Sequence, residues 1–337
     1  MTSHLGAFAS SNELSEAVWI KTSTQSIPST NSNLVFRKGI PYLVQPVEPY
    51  LQRIVIDGKT AVPEQLPPKV VPLIIGSTEF DGLFYVYSEN DKFVLFVERN
   101  NQKIELPSEI EKNEIKHLRI SVNKDGNVCL TDSRKIYFRD KVDWNRVEIS
   151  RYYRTGLIKV VNSQRSVYLG FSCGESGGLL LVLDKEKQKF QTPLVGYNIF
   201  DMCLDSKDRL WIVCSTWDML RTHGVLCKYE NGECSTIIEN WGDWKRNGEA
   251  TLSPASINWK LEPCTFDYVY ADSNDDLYLG TCKHGIYKFN PKGTSQVSDS
   301  LWGNIANTNS CTKKLLPLAD GFLFLVPDSG VYFQKRI

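Results

Sequence analysis

The chain has 337 residues, of which 42% are hydrophobic and 23% charged, enough to build one large globular domain and too apolar for a disordered chain. Lys and Arg number 39, Asp and Glu also 39, and no basic block stands out, which argues against nucleic acid as a partner. No run reaches roughly 18 uninterrupted apolar residues, so no membrane span is expected.

Residues 1–16 lack the charged and apolar regions of a secretory signal, and the chain holds no Asn-x-Ser/Thr sequon. They read as a flexible tail, and a cytoplasmic setting is expected, with the nucleus as the alternative. AVWIKT (17–22) reads as a strand. LVFRKGIPYLVQP and RIVIDG (34–58) form a degenerate unit of short strands. VPLIIGSTEFDGLFYVYSENDKFVLFVERN (71–100) is a clearer unit of the same kind. The polar stretch 105–115 has room for one helical turn at most. LRISVNKDGNVCLTDSRKIYFRD (118–140) and IKVVNSQRSVYLGFSCGESGGLLLVLD (158–184) each alternate apolar and polar residues around Asp, Asn, Ser and Gly turns, the pattern of antiparallel hairpins.

Two later units share one pattern. FDMCLDSKDRLWIVCSTWDMLRTHGVLCKYENG (200–232) and FDYVYADSNDDLYLGTCKHGIYKFNPKG (266–293) both run apolar strand, Asp-Ser-x-Asp, a strand opening on Leu-Trp or Leu-Tyr, His-Gly, then Lys-Tyr or Lys-Phe. KLLPLADGFLFLVPDSGVYFQKRI closes the chain with a unit of three strands. Turns near Asp81, Asp125, Gln164, Lys207, Asn274 and Asp320 are separated by 44, 39, 43, 67 and 46 residues. A period of about 40–50 residues with four short strands per unit predicts the blades of a β-propeller.

The expected fold is therefore all-β: a single β-propeller of seven four-stranded blades over 17–337. Six blades is the alternative if 34–58 is only a lid. A three-stranded last unit would leave an open sheet edge, so the strand at 17–22 is expected to complete it.

The units resemble propeller repeats of the two-component-regulator sensor type, with relatives among gluconolactonase-type and NHL-type propellers. Residues 205–213 and 272–281 match the first half of that repeat and 285–289 the second. The resemblance implies the fold. The matching residues are strand-and-turn positions, so a sensor role does not follow.

Residues with chemical potential are few. Gly170-Phe171-Ser172-Cys173-Gly174 has the letters of a nucleophile elbow, yet another strand follows where a helix is required, so the glycines read as a turn. Lactonase-type propellers hold a divalent metal with inner-strand carboxylates. Asp201 and Asp267 open inner strands here, displaced from each other by one position, a poor set for a hard cation. They are expected to accept hydrogen bonds from backbone amides.

Nine cysteines include no Cys-x-x-Cys pair and read as reduced thiols behaving as small hydrophobes. A metal site from Cys214, Cys227, Cys282, His223 and His284 is not advertised by their spacing. No catalytic residue, metal or cofactor is expected.

The spacing of 67 residues is the irregular one. It makes room for an insertion at 239–263 that carries Trp241, Trp244 and Trp259. The loop that shares its face of blade 5 supplies Trp217, Asp218, Arg221 and His223, and SCGESGG occupies that face of blade 4. Long loops on a rigid scaffold favour recognition, and Trp and Arg favour interface centres. These seven residues are the candidate partner-binding set, against the plainer reading that the tryptophans fold back over blades 5 and 6. The expected function is a non-enzymatic intracellular scaffold or recognition subunit with a protein partner. A metal-dependent lactonase-like hydrolase and a small-ligand or glycan-binding sensor are the alternatives.

Overall fold

The computed structural model describes residues 18–20, 33–45, 48–66, 70–77, 82–132, 134–140, 143–149, 156–215, 221–243, 266–272, 274–281, 286–290, 293–298, 314–326 and 330–335. Among these, seven antiparallel sheets of four strands each form the blades of a β-propeller.

The first strand, β1, is Val18–Ile20. Blade 1 is β2 (Asn33–Arg37), β3 (Ile40–Val44), β4 (Leu51–Val55) and β5 (Thr60–Glu64). Blade 2 is β6 (Ile74–Ser77), β7 (Leu83–Glu89), β8 (Lys92–Val97) and β9 (Gln102–Glu105). Blade 3 is β10 (Arg119–Val122), β11 (Val128–Thr131), β12 (Lys135–Asp140) and β13 (Asp143–Glu148). Blade 4 is β14 (Leu157–Asn162), β15 (Ser166–Ser172), β16 (Gly178–Asp184) and β17 (Lys189–Val195). Blade 5 is β18 (Asn198–Leu204), β19 (Leu210–Ser215), β20 (Arg221–Glu230) and β21 (Glu233–Asp243). Blade 6 is β22 (Phe266–Ala271), β23 (Leu277–Thr281), β24 (Ile286–Asn290) and β25 (Gly293–Ser298).

Blade 7 is β26 (Lys314–Pro317), β27 (Gly321–Val326) and β28 (Gly330–Lys335), with β1 as its outermost strand. β1 pairs with β28 through Val18–Phe333, Trp19–Tyr332 and Ile20–Val331. The expected closure is therefore present, the unit at 34–58 is a full blade, and the ring has seven blades. Helical structure is limited to short 3-10 turns among the described residues, one of them at Ile115–His117, close to the polar stretch that had room for one.

The second strand of a blade is buried on both faces because a neighbouring blade packs against each. In blade 5 every residue of β19 is buried. Strand alternation divides such a strand between its neighbours. Leu130 and Tyr137 face blade 2, whereas Cys129 and Phe138 face blade 4. The result is seven apolar clusters, one at each blade boundary, in place of one central core. Between blades 4 and 5, Tyr168 and Val182 meet Met202, Ile212 and Val225. Each fully buried side chain of this size contributes about 1.5–3 kcal/mol. Gly170 lies on this boundary because a Cβ there would come within 2.7 Å of Ile199 Cγ2 and 3.0 Å of Met202 Cε.

The repeated Asp-Ser-x-Asp motif has a local cause. The Oδ1 atoms of Asn123, Asp205 and Asp272 each accept backbone N–H groups two and four residues ahead. The donors are Asp125 and Asn127, Lys207 and Arg209, and Asn274 and Asp276, all at 2.8–3.0 Å. The side chain thus ties the turn between the first and second strands. One turn residue must adopt a left-handed conformation, and Gly126 (φ 83), Asp208 (φ 60) and Asp275 (φ 63) fill that place. The aromatic of Leu-Trp or Leu-Tyr reaches back to the same carboxylate: Trp211 Nε1 donates to Asp205 Oδ2 at 2.9 Å and Tyr278 Oη to Asp272 Oδ2 at 3.4 Å.

Candidate functional site

The up-and-down order of each blade sends its connections to two opposite faces. Turns between the first and second strands, and between the third and fourth, share one face. Loops between the second and third strands share the other with the connections from blade to blade.

On that second, loop-bearing face, blade 5 departs from its neighbours. β20 spans 10 residues and β21 spans 11. β19 pairs with β20 only over Val225–Tyr229. Beyond it, β20 and β21 continue, with no third strand among the described residues, through Gly224–Asn240, His223–Trp241, Thr222–Gly242 and Arg221–Asp243. These rungs form a two-stranded ribbon extending past the four-stranded part of the blade. The register opposes Arg221 to Asp243 and His223 to Trp241 across the ribbon. Three of the seven predicted partner-binding residues, Arg221, His223 and Trp241, thereby come together. His223 lies within β20, and residues 239–243 of the predicted insertion continue β21. Trp217, Asp218, Trp244 and Trp259 lie outside the described residues.

The same face of blade 4 is built around Asn198. Its Oδ1 accepts Ser172 Oγ–H at 3.0 Å and the Cys173 amide at 2.9 Å, and its Nδ2 donates to the Gly174 carbonyl at 2.8 Å. Ser172 ends β15 and leads into a 3-10 turn, Gly174–Ser176, before β16. The Gly-x-Ser-x-Gly letters therefore mark a hairpin loop pinned by Asn198, as the strand pattern predicted.

In the channel, the innermost strands of blades 4, 5 and 6 each carry a bulge, between Leu157 and Lys159, Ile199 and Asp201, and Phe266 and Tyr268. Lys159, Asp201 and Tyr268 are equivalent by this register, and Asp267 is the bulge residue one place earlier. Lys159 Nζ forms an ion pair with Asp201 Oδ1, and Asp201 Oδ2 accepts the Val269 amide at 3.2 Å. Asp201 is 5% exposed. Both of its oxygens are engaged, one by the backbone amide expected of a strand-end aspartate. The carboxylate therefore binds blades 4, 5 and 6 together.

Cys214 and Cys227 are buried, and Cys234 is partly so. The hydrogen bond with Cys214, with burial, pushes the Cys227 thiol far above the ordinary thiol range against the opposing bond with Cys234, and the hydrogen bond with Cys227, with burial, does the same to Cys234. They are inert thiols packed between blades 4 and 5. Cys282 and His284 lie outside the described residues, and among those described no group of three or more His, Cys, Asp or Glu is arranged to hold a metal ion.

Sequence reasoning missed a cleft of about 590 Å³ on the opposite, turn-bearing face, between blades 4 and 5. It runs from the turn at Gln164–Arg165 and Lys207–Asp208 to the outer turns at Lys187 and Asn231–Gly232. Tyr168 and Tyr229 form its floor, edge to face with centroids 5.7 Å apart. Its walls come from four turns distant in sequence, so no contiguous motif announces it.

Across the turn-bearing face, polar contacts join blades. Lys124 of blade 3 donates to the Ser206 carbonyl at 3.0 Å and pairs with Asp208 at 3.1 Å. Asp275 of blade 6 accepts the Ser206 amide at 2.8 Å and its hydroxyl at 2.9 Å.

No family model matches the chain, and no curated protein matches it. Solved structures do. YCF48 bound to D1 peptide is 15% identical, with a TM-score of 0.51 over 93% of this chain and 100% of that one. The extracellular domain assigned to a hybrid two component system of B. thetaiotaomicron is 12% identical, with a TM-score of 0.53 over 95% of this chain and 39% of that one. A catalytically inactive virginiamycin B lyase from Staphylococcus aureus, with quinupristin, is 11% identical, with a TM-score of 0.51 over 93% of this chain and 99% of that one. At these identities the likeness shows the propeller fold, in keeping with the sensor-type repeats seen in the sequence.

Proposed function

We propose that this propeller is a non-enzymatic recognition or scaffold subunit that binds a protein partner through the loop-bearing face of blades 4–6. The ribbon of blade 5 carries the reading. Arg221, His223 and Trp241 belong to the backbone rungs of a two-stranded projection held by a fully paired blade, which supports the reading. Arg and Trp are the residue types that most often dominate interface energetics, and strands hold them more rigidly than a loop would. YCF48, a propeller of similar architecture, was solved with a peptide bound, which supports the fold as a peptide-binding platform. The proposed setting is cytoplasmic, with the nucleus as the alternative.

Affinity purification from the cells of origin tests the proposal. The Arg221→Glu/Trp241→Ala variant should lose a stoichiometric partner that a Thr222→Ala/Asn240→Ala variant, altered at neighbouring ribbon positions, retains. Both should melt near the wild-type temperature. Retention of the partner by the first variant, or absence of any stoichiometric partner from the wild type, would overturn it.

A further inference from the structure

We infer that the cleft between blades 4 and 5 on the turn-bearing face is a second binding site, and that it takes a short acidic peptide segment. The site lies on the face opposite the ribbon, so it stands apart from the partner surface proposed above.

The charge pattern gives the sign of the ligand. Three carboxylates line the cleft, and each already has a cation: Asp184 pairs with Lys187 at 3.3 Å, Asp208 with Lys124 at 3.1 Å and Glu230 with Lys228 at 2.9 Å. Arg209 is likewise held by Asp205 at 2.6 Å. Arg165 and Lys207 remain: neither makes a salt bridge among the described residues, and Lys207 acts on a carboxylate, that of Asp275, only through its charge. They stand on the equivalent turns of the two blades. The cleft therefore presents two cations free of direct ion pairs over an aromatic floor.

The remaining lining gives the class. The paired carboxylates on the walls oppose a dense polyanion such as a polyphosphate, because like charges held close cost affinity. An acidic side chain on a peptide can approach Arg165 or Lys207 singly. Gln164, Gln191 and Asn231 add amide donors and acceptors of the kind that pair with peptide groups. A volume of about 590 Å³ lies within the range of small-ligand sites and accommodates a few residues.

Binding of the full-length protein to an immobilised hexapeptide library tests the inference. Members carry two Asp or Glu residues, each with a paired Asn or Gln control, and inorganic pyrophosphate serves as a competitor. Acidic members should bind, their amide counterparts should not, and added salt should weaken binding. Arg165→Glu/Lys207→Glu should reduce affinity at least about tenfold, as loss of charged hydrogen bonds does. The single variants Arg165→Ala and Lys207→Ala should each reduce it by less, with an unchanged melting temperature. The inference is overturned if no acidic hexapeptide binds, if the amide controls bind equally, or if charge reversal in a folded variant leaves binding intact. Displacement by pyrophosphate at lower concentration than by free peptide would also overturn it, by assigning the cleft to small polyanions.

Discussion

Lys159 and Asp201 occupy the same register position on the innermost strands of adjacent blades and pair as ions across the boundary between them. The second Asp201 oxygen takes the Val269 amide of the following blade, so one carboxylate spans three blades. Removing it takes the Asp201 carboxylate from Lys159 and the acceptor from the Val269 N–H. Asp201→Ala should cost about 2–3 kcal/mol in urea denaturation. Lys159→Met should cost a comparable amount, because it leaves the Asp201 carboxylate, whose side chain is 8% exposed, without the Lys159 ammonium although the amide bond survives. A negligible loss in Lys159→Met would show that the ion pair contributes nothing.

The turn motif makes a second prediction. Asp205, fully buried, accepts two backbone amides, Arg209 Nε and Trp211 Nε1. Asp205→Ala should destabilise by about 3 kcal/mol, whereas Asp205→Asn should cost about 2 kcal/mol, because its single oxygen can keep the backbone amides while its NH2 group faces the Arg209 and Trp211 donors. Asn123 already performs the backbone part of this task in blade 3. Thermal and urea melts of the two variants check the order.

Asp275 predicts a dependence on acid. Burial opposes its ionisation, but the Ser206 amide and hydroxyl, with Arg209 nearby, outweigh burial and hold its carboxyl below the ordinary 3.8. A folded value below the unfolded one contributes stability above the ordinary value, lost as pH falls through the folded one. The stability gap between wild type and Asp275→Asn should therefore narrow as pH drops below 3.8. Asn also tolerates the left-handed backbone at this position (φ 63), so the comparison isolates the charge. A gap unchanged with pH would remove the carboxylate from the account.

Ring closure rests on three residue pairs, with Ile20 fully buried against blades 7 and 1. Ile20→Asp should destabilise by more than about 3 kcal/mol through a buried charge. Deleting residues 1–21 should expose the β28 edge and produce association visible by light scattering. A monomeric deletion variant with the wild-type melting temperature would deny β1 its role.

The ring was legible because its signals are local. Asp, Asn and Gly at fixed turn positions, with apolar runs between them, announce blades without any knowledge of what packs on what. Lys159 and Asp201 stand 42 residues apart, and their equivalence depends on bulges that shift each inner strand by one position. Asp201 and Asp267 looked like counterparts from a repeat alignment, with the displacement visible and its cause hidden. The long spacing pointed to blade 5, but its sequence reads as a loop where the structure continues two strands through Arg221 and Asp243. His223 and Trp241 are joined by backbone pairing, which neither residue type advertises. The cleft was illegible because its charges gain meaning only once each carboxylate is matched to its cation.

The most direct test of partner recognition is amide hydrogen exchange of the protein alone and in its purified complex. The account predicts slowed exchange at residues 221–224 and 240–243, the rungs with no third strand among the described residues, and little change in the inner strands. Protection confined to other blades, with the ribbon exchanging at its free rate, would contradict it.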